Sequence, residues 1–235
     1  MQIAGCGNRL HAMENENASP GCACPGRHFL RDARWYKRLQ ARVLSREYAP
    51  YTRAVERRKA ELFGGLEGDV VEIGPGGGVN LRYFAPDVRW TGIEPNPYLH
   101  DVIRARAREL GRAADVRAGR AEALPFDDGS VDAVACSLVL CSVNDLEGTL
   151  REIRRVLRPG GRFVFIEHVA DPKGGRRARL QRMVRPVWRL MADGCHPDRR
   201  TWEAIRAAGF ARVEIEHFEA PVPLVAPHIA GFAVR

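Results

Sequence analysis

The sequence predicts an α/β protein on a doubly wound, mostly parallel sheet. Three observations predict it. Short apolar runs rich in Val and Ile alternate with longer amphipathic segments between about residues 69 and 168. A glycine cluster, Gly74-Pro-Gly-Gly-Gly78, follows the first of those runs directly. An acidic residue, Glu94, closes the second. Strands alternating with helices give parallel pairing through right-handed crossovers. Ligands of such sheets sit outside the carboxyl ends of the strands.

Each element follows from its own pattern. Residues 1–28 are rich in Gly, Asn and Cys and show little periodicity, so they read as a flexible tail ahead of a single domain over 29–235. Two amphipathic helices are expected at 29–47 and 50–63, split by Pro50, the first carrying a stripe of Trp35, Leu39, Val43 and Leu44. Together they form a helical cover over 29–63. The core runs from 69 to 168. Its first strand is Asp69–Ile73 and its second ends at Glu94. Pro97 opens a helix to about Leu110, where its missing N–H costs little. A third strand surrounds Val116, and the fourth is Val131–Cys136. A helix over about 144–157 is stopped by Arg158-Pro-Gly-Gly161, and a fifth strand, Arg162–Ile166, ends at Glu167-His168. A second helical cover is expected over 173–208, with helices at about 176–192 and 199–208. Strands near 211–218 and 228–234 complete about seven.

Composition narrows the function classes. At 235 residues and 45% hydrophobic, the chain has apolar material for a full core. No apolar run reaches the roughly 20 residues that span a bilayer, and no secretory h-region opens the chain. A cytoplasmic protein without an integral membrane segment is expected. The net charge of +8 comes almost wholly from arginine, with lysine only at 37, 59 and 173. Those arginines spread over several helices instead of one patch, so no nucleic-acid partner is expected. Cys6, Cys22 and Cys24 share the tail with His28, but Cys-x-Cys lacks the spacer of a zinc knuckle, and no metal is expected.

The chemistry is carried by three motifs in order. Glycines at 74, 76 and 78 let backbone approach a ligand closely, and this spacing differs from the dinucleotide turn. Glu72, just before the turn, suits a cationic amino-acid ligand better than a phosphate. Glu94 stands where a carboxylate accepts bonds from both hydroxyls of a ribose. Gly119-Arg-Ala-Glu122 follows the third strand, beside the place for an adenine ring.

Together these motifs resemble the class I S-adenosylmethionine-dependent methyltransferases over residues 69–168. The resemblance implies a Rossmann-like core and S-adenosylmethionine as cofactor. It places Gly74, Pro75, Gly76 and Gly78 along the methionine moiety with Glu72 nearby. Glu94, with Pro95 and Asn96, falls at the ribose. Gly119, Ala121 and Glu122 border the adenine, and Cys136 and Ser137 form the floor near the sulfonium. The chain lacks the Asn/Asp-Pro-Pro-aromatic motif of exocyclic-amine methyltransferases and the Pro-Cys pair of the cytosine C5 type.

Further segments resemble the alkyl thiol methyltransferases of mammalian membranes. They are Lys59–Phe63, Glu94–Pro97, Leu138–Val143, Leu157–Gly161, Glu167–Val169, Asp193–Cys195 and Pro227–Gly231. That likeness implies a small-molecule thiol acceptor, with N- or O-methylation of a metabolite or phospholipid as the alternative. Those relatives begin with a hydrophobic anchor, whereas this chain begins with a polar tail, so membrane residence does not carry over. Candidates to help the acceptor are His168, at the end of strand five, and His196 and His228, with Asp193 as a partner. Cys136, Cys141 and Cys195 are expected to be small pocket or core residues. Trp35, Tyr36, Tyr48, Met183, Trp188, Leu190 and Met191 are the expected walls contributed by the covering helices.

Overall fold

Val70, Val71 and Ile73 are all buried, and a run apolar on both faces belongs at the centre of a parallel sheet covered by helices. The computed structural model describes residues 33–44 and 48–235. The tail at 1–28, with Cys6, Cys22, Cys24 and His28, lies outside the described residues. The strands are β1 (Asp69–Ile73), β2 (Arg89–Ile93), β3 (Asp115–Arg117), β4 (Val131–Ser137), β5 (Leu157–His168), β6 (Arg212–Glu219) and β7 (Pro227–Val234). They form one sheet in the order β3-β2-β1-β4-β5-β7-β6. The first five strands run parallel, and β7 inserts antiparallel between β5 and β6.

The helices are α1 (Arg34–Leu44), α2 (Ala49–Gly64), α3 (Pro97–Glu109), α4 (Leu146–Val156), α5 (Gly175–Met191) and α6 (Thr201–Ala207). Local chemistry sets their starts. The Asn96 side chain caps α3 by accepting from Tyr98 N at 3.2 Å, with Pro97 in the first turn. Asp145 caps α4 through Gly148 N at 2.9 Å. Pro50 lies inside the first turn of α2, so it begins that helix and does not merely separate two. β5 begins at Leu157, five residues before the expected start. Arg158-Pro-Gly-Gly161 does more than end α4: Gly160 N donates to Arg235 O at 3.0 Å and Arg235 N donates to Gly161 O at 3.0 Å, so the segment is held against the end of the chain.

Two apolar layers flank the sheet. One packs Ile73, Val134, Phe163 and Phe165 against Leu150 and Ile153 of α4 and Ile205 of α6. The other packs Val70, Val164 and Ile166 with Val55 and Phe63 of α2 and Leu99 and Ile103 of α3. Phe63 stacks on Phe84 with ring centroids 5.4 Å apart and planes 12° from parallel, which fixes α2 to the loop before β2.

The covering helices differ from expectation. Trp35, Leu39 and Val43 do not bury as a stripe, and Trp35, Tyr48, Met183, Leu190 and Met191 are each more than half exposed. The reason is polar docking. Gln181, fully buried, donates to Leu224 O at 3.0 Å and accepts from Asp171 N at 2.9 Å, and Tyr36 Oη donates to Leu190 O at 3.1 Å. These bonds hold α5 and α1 without interdigitating their apolar faces. Of the expected walls, Trp188 turns inward. No helix among the described residues is long and apolar enough to cross a membrane.

Phe63→Ala removes a fully buried ring at the joint between α2 and the sheet. It should lower the unfolding free energy by about 3–5 kcal/mol in denaturant titration; a loss under about 1 kcal/mol would show that α2 is not tied to the core there.

Candidate active site

The glycine loop leaves β1 with Gly74, Gly76 and Gly78 at φ +61°, +56° and +71°, the left-handed region that side-chain-bearing residues rarely adopt. A Cβ at Gly74 would stand 2.7 Å from Val139 Cγ2, and one at Gly78 would stand 3.2 Å from Leu81 Cδ1. At Gly76 a Cβ would meet nothing within 4 Å. Gly74 and Gly78 are therefore packed from behind, while Gly76 borders free space at the carboxyl end of the sheet. That space is a cradle of the kind an extended nucleoside–amino-acid ligand needs.

Glu94 borders the same cradle. Its Oε2 accepts from Gly76 N at 3.1 Å and its Oε1 from Asn96 N at 2.8 Å, so one carboxylate ties the glycine loop to the start of α3. Burial pushes its pKa up to about 7, against the pull of those two amides. Pro95 is exposed on the turn between them, and Asn96 is buried at the cap.

Glu72 sits beneath the loop. Asn80 Nδ2 donates to its Oε1 at 2.7 Å and Trp90 Nε1 to its Oε2 at 3.0 Å, while Lys59 Nζ donates to Asn80 Oδ1 at 2.7 Å. Burial raises this carboxyl to about 7. Both oxygens are engaged, so Glu72 braces the loop from within the protein. On the far side of the cradle Ala121 is buried, and Glu122 Oε1 accepts from Asn144 N at 2.9 Å, joining the loop after β3 to the segment leading into α4. Gly119 packs against Ile93, whose Cγ2 would lie 2.8 Å from a Cβ there.

The other end of the crevice is organised by Glu167, at the end of β5. It is fully buried and accepts from Val139 N at 2.8 Å, Leu140 N at 3.0 Å and Cys141 N at 3.4 Å, and from Cys136 Sγ at 3.4 Å. Burial raises its pKa, opposed by the amides of Val139 and Leu140. The segment after β4 thus wraps around one carboxylate, with Leu138 at φ +60° making the turn. Cys136 and Ser137 lie at its root, and burial raises the Cys136 thiol well above its ordinary value.

Beyond them Cys141, His168 and Cys195 come together, all buried, with one donor atom of each within 4.8 Å of the others. His168 Nε2 contacts Cys195 Sγ at 2.9 Å, and Trp188 Nε1 donates to the same sulfur at 3.1 Å. The Cys141 thiol, also directed at that sulfur, is the main cause drawing the Cys195 pKa down, and Cys141 is raised in turn. His168 Nδ1 is buried and has no hydrogen-bond partner among the described residues.

The three candidate histidines therefore differ. His168 faces the sulfur cluster. The His196 ring meets Arg199 through Nδ1, and its pKa falls to about 4 from burial and then the Arg199 charge. Arg199 also donates to Leu140 O at 2.6 Å and Val143 O at 2.9 Å, so His196 belongs to a brace under the 138–143 segment. His228 pairs with His168 across β5 and β7, donates through Nδ1 to Ala226 O at 3.0 Å, and is lowered to about 4 by burial. Tyr51 of α2 lies tilted against His228 with centroids 5.5 Å apart, and its deeply buried hydroxyl lies toward Ser137, Glu167 and Cys141. Arg199 and Tyr51 lie in no motif, whereas Glu167 belongs to the Glu167–Val169 segment at the end of β5.

Residues 71–165 match the methyltransferase domain family. Among curated relatives, the thiol S-methyltransferase TMT1A of Homo sapiens is 38% identical over 198 residues, covering 79% of this chain and 81% of that protein. The thiol S-methyltransferase TMT1B of Homo sapiens is 36% identical, covering 82% and 88%. Among solved structures, the geranyl diphosphate C-methyltransferase of Streptomyces coelicolor A3(2), crystallised with S-adenosylhomocysteine, superposes with a TM-score of 0.61 at 21% identity, covering 77% of each chain.

Glu94 generates a prediction for S-adenosylmethionine binding measured by calorimetry. Glu94→Gln should weaken binding by about 1.5–3 kcal/mol, the usual worth of a charged acceptor. With its pKa raised to about 7, the carboxyl is ionised above that pH and protonated below it. Affinity of the parent should therefore fall between pH 8 and pH 6, and Glu94→Gln should reduce that dependence to the part left by Glu72, whose carboxyl is also raised to about 7. A flat parent profile would detach Glu94 from the ligand. Gly76→Val, which fills the free space, should eliminate binding in a folded chain.

Proposed function

Because the chain belongs to the S-adenosylmethionine-dependent methyltransferases, we propose that it transfers the methyl group to the sulfur of a small, partly apolar thiol. When bound, S-adenosylmethionine supplies a methyl group already activated on a sulfonium. The protein's task is to align the acceptor and exclude water. Gly74, Pro75, Gly76 and Gly78 carry the cofactor's amino-acid end, with Glu72 holding that loop in shape. Glu94 meets the ribose, with Pro95 and Asn96 beside it, and Gly119, Ala121 and Glu122 flank the base. Cys136 and Ser137 form the floor where the two substrates meet.

The observation that carries the thiol reading is the convergence, at the acceptor end, of three segments that resemble thiol methyltransferases. Leu138–Val143, Glu167–Val169 and Asp193–Cys195 deliver Cys141, His168 and Cys195 to one point. The two human relatives named as thiol S-methyltransferases match four-fifths of the chain, which supports the same acceptor class. Buried sulfur and imidazole offer a polarizable site that suits a soft nucleophile better than an ammonium or a phenol. His168 orients the acceptor sulfur. His196 and His228, both held neutral and hydrogen-bonded, shape the surrounding walls.

A panel of thiols, amines and phenols, assayed by release of S-adenosylhomocysteine, tests this. Thiols should turn over, with kcat/KM rising with pH toward the pKa of the bound thiol, because the thiolate is the attacking species. His168→Ala should lower kcat by about 10²-fold or more while leaving cofactor affinity near the parent's. Methylation of amines or phenols with no thiol turned over, across the same pH range, would overturn the reading.

A further inference from the structure

We propose that Cys141 Sγ, Cys195 Sγ and His168 Nε2 form a zinc site whose fourth position receives the sulfur of the acceptor. The three-residue site stands on its own geometry, and its fourth ligand rests on the thiol reading above. The donor atoms lie within 4.8 Å of one another, and the residues are at most 6% exposed. Tetrahedral ligands at a Zn–S distance of about 2.3 Å and a Zn–N distance of about 2.0 Å stand roughly 3.5–3.8 Å apart. Small side-chain shifts would bring the three donors to that spacing. Two thiolates and an imidazole are a donor set zinc favours, and three protein ligands leave the open position of a catalytic site.

The ligands come preorganised on three different segments. Cys141 is held at both backbone groups: its carbonyl accepts from His196 N at 2.8 Å, and its amide donates to Glu167 at 3.4 Å. His168 ends β5 and is fixed by pairing with His228 on β7. Cys195 N donates to Ala192 O at 2.9 Å, and Trp188 Nε1 donates to its sulfur at 3.1 Å, the kind of outer contact that orients a ligating thiolate. Ligation through Nε2 places the imidazole proton on Nδ1, which is buried without a hydrogen-bond partner among the described residues.

The placement gives the ion a task. A thiol bound to zinc loses its proton outright, so the acceptor arrives as a thiolate and its proton goes to solvent. That sulfur's lone pair forms the bond to the methyl carbon. The bond between that carbon and the sulfonium breaks, its electron pair staying on the cofactor's sulfur. The product is a neutral thioether, a weaker ligand than a thiolate, and it leaves the open position.

The test uses the full chain with Cys6, Cys22 and Cys24 replaced by Ser, which removes the tail thiols from the count. After chelation and dialysis, this protein should take up one zinc ion per chain by elemental analysis. With Co²⁺ in its place it should show a sulfur-to-cobalt charge-transfer band and the visible bands of a tetrahedral ion. Cys141→Ser and Cys195→Ser should each lose stoichiometric uptake, and Trp188→Phe should weaken zinc by about 10–100-fold. The cobalt spectrum of the chain with all three ligands intact keeps the test independent of whether those variants fold. Absence of the charge-transfer band in folded protein, or zinc uptake unchanged in Cys195→Ser, overturns the site. Thiol methylation at full rate in metal-free protein overturns the role of the ion and leaves the thiol reading standing. Stoichiometric zinc with no thiol methylated keeps the three-residue site and removes the thiol acceptor.

Discussion

A buried carboxylate must be given donors, and this requirement shapes the whole functional edge of the sheet. Desolvating an ionised carboxyl costs several kcal/mol unless hydrogen bonds replace the lost water. Glu72 of β1, Glu94 after β2 and Glu167 of β5 are all buried at the carboxyl ends of parallel strands. Each recruits the loop that leaves a strand. Glu94 takes amides from the glycine loop and the α3 cap, Glu167 takes three consecutive amides after β4, and Glu72 is held by Asn80 and Trp90. The loops that build the site therefore have few alternatives: moving any one of them would strand a charge in a low-dielectric interior.

The same constraint divides the labour along the crevice. At the glycine-loop end, backbone amides on Glu94 combine with the Asn80 and Trp90 side chains on Glu72. At the Glu167 end three backbone amides are joined by Cys136, Arg199 and the sulfur cluster. Arg199 reaches Leu140 O, Val143 O and His196 at once, converting the segment after β4 into a rigid wall. The outer faces of α1 and α5 stay exposed because their docking is polar, through Tyr36 and Gln181.

What the sequence made legible were features with local causes. The period of the apolar runs located all seven strands, and glycines spaced at 74, 76 and 78 marked the loop, because glycine adopts a positive φ far more readily than other residues. Pro97 announced α3 through the chemistry of a single turn, while the Asn96 cap emerged only in the structure. The failures have non-local causes. The start of β5 at Leu157 depends on Arg235, far along the chain. The exposure of Trp35 and Met183 depends on where α1 and α5 dock, and amphipathicity does not reveal whether a helix face meets a partner. The meeting of Cys141 with Cys195 joins segments 54 residues apart, and neither cysteine has a neighbour in sequence that points to the other.

The histidines show how topology separates residues that sequence treats alike. β7 enters the sheet antiparallel between β5 and β6, so His228 is placed directly opposite His168 at the end where ligands bind. Were the strand parallel, its carboxyl end would lie at that edge and His228, near its start, would fall at the far end of the sheet. Register then gives the two rings different work. Ala226 O engages His228 Nδ1, and burial keeps that ring neutral between Tyr51 and Phe218. His168 has no such carbonyl and turns its Nε2 to Cys195 instead. The reversal of one strand thus brings His168 and His228 to the same edge of the sheet.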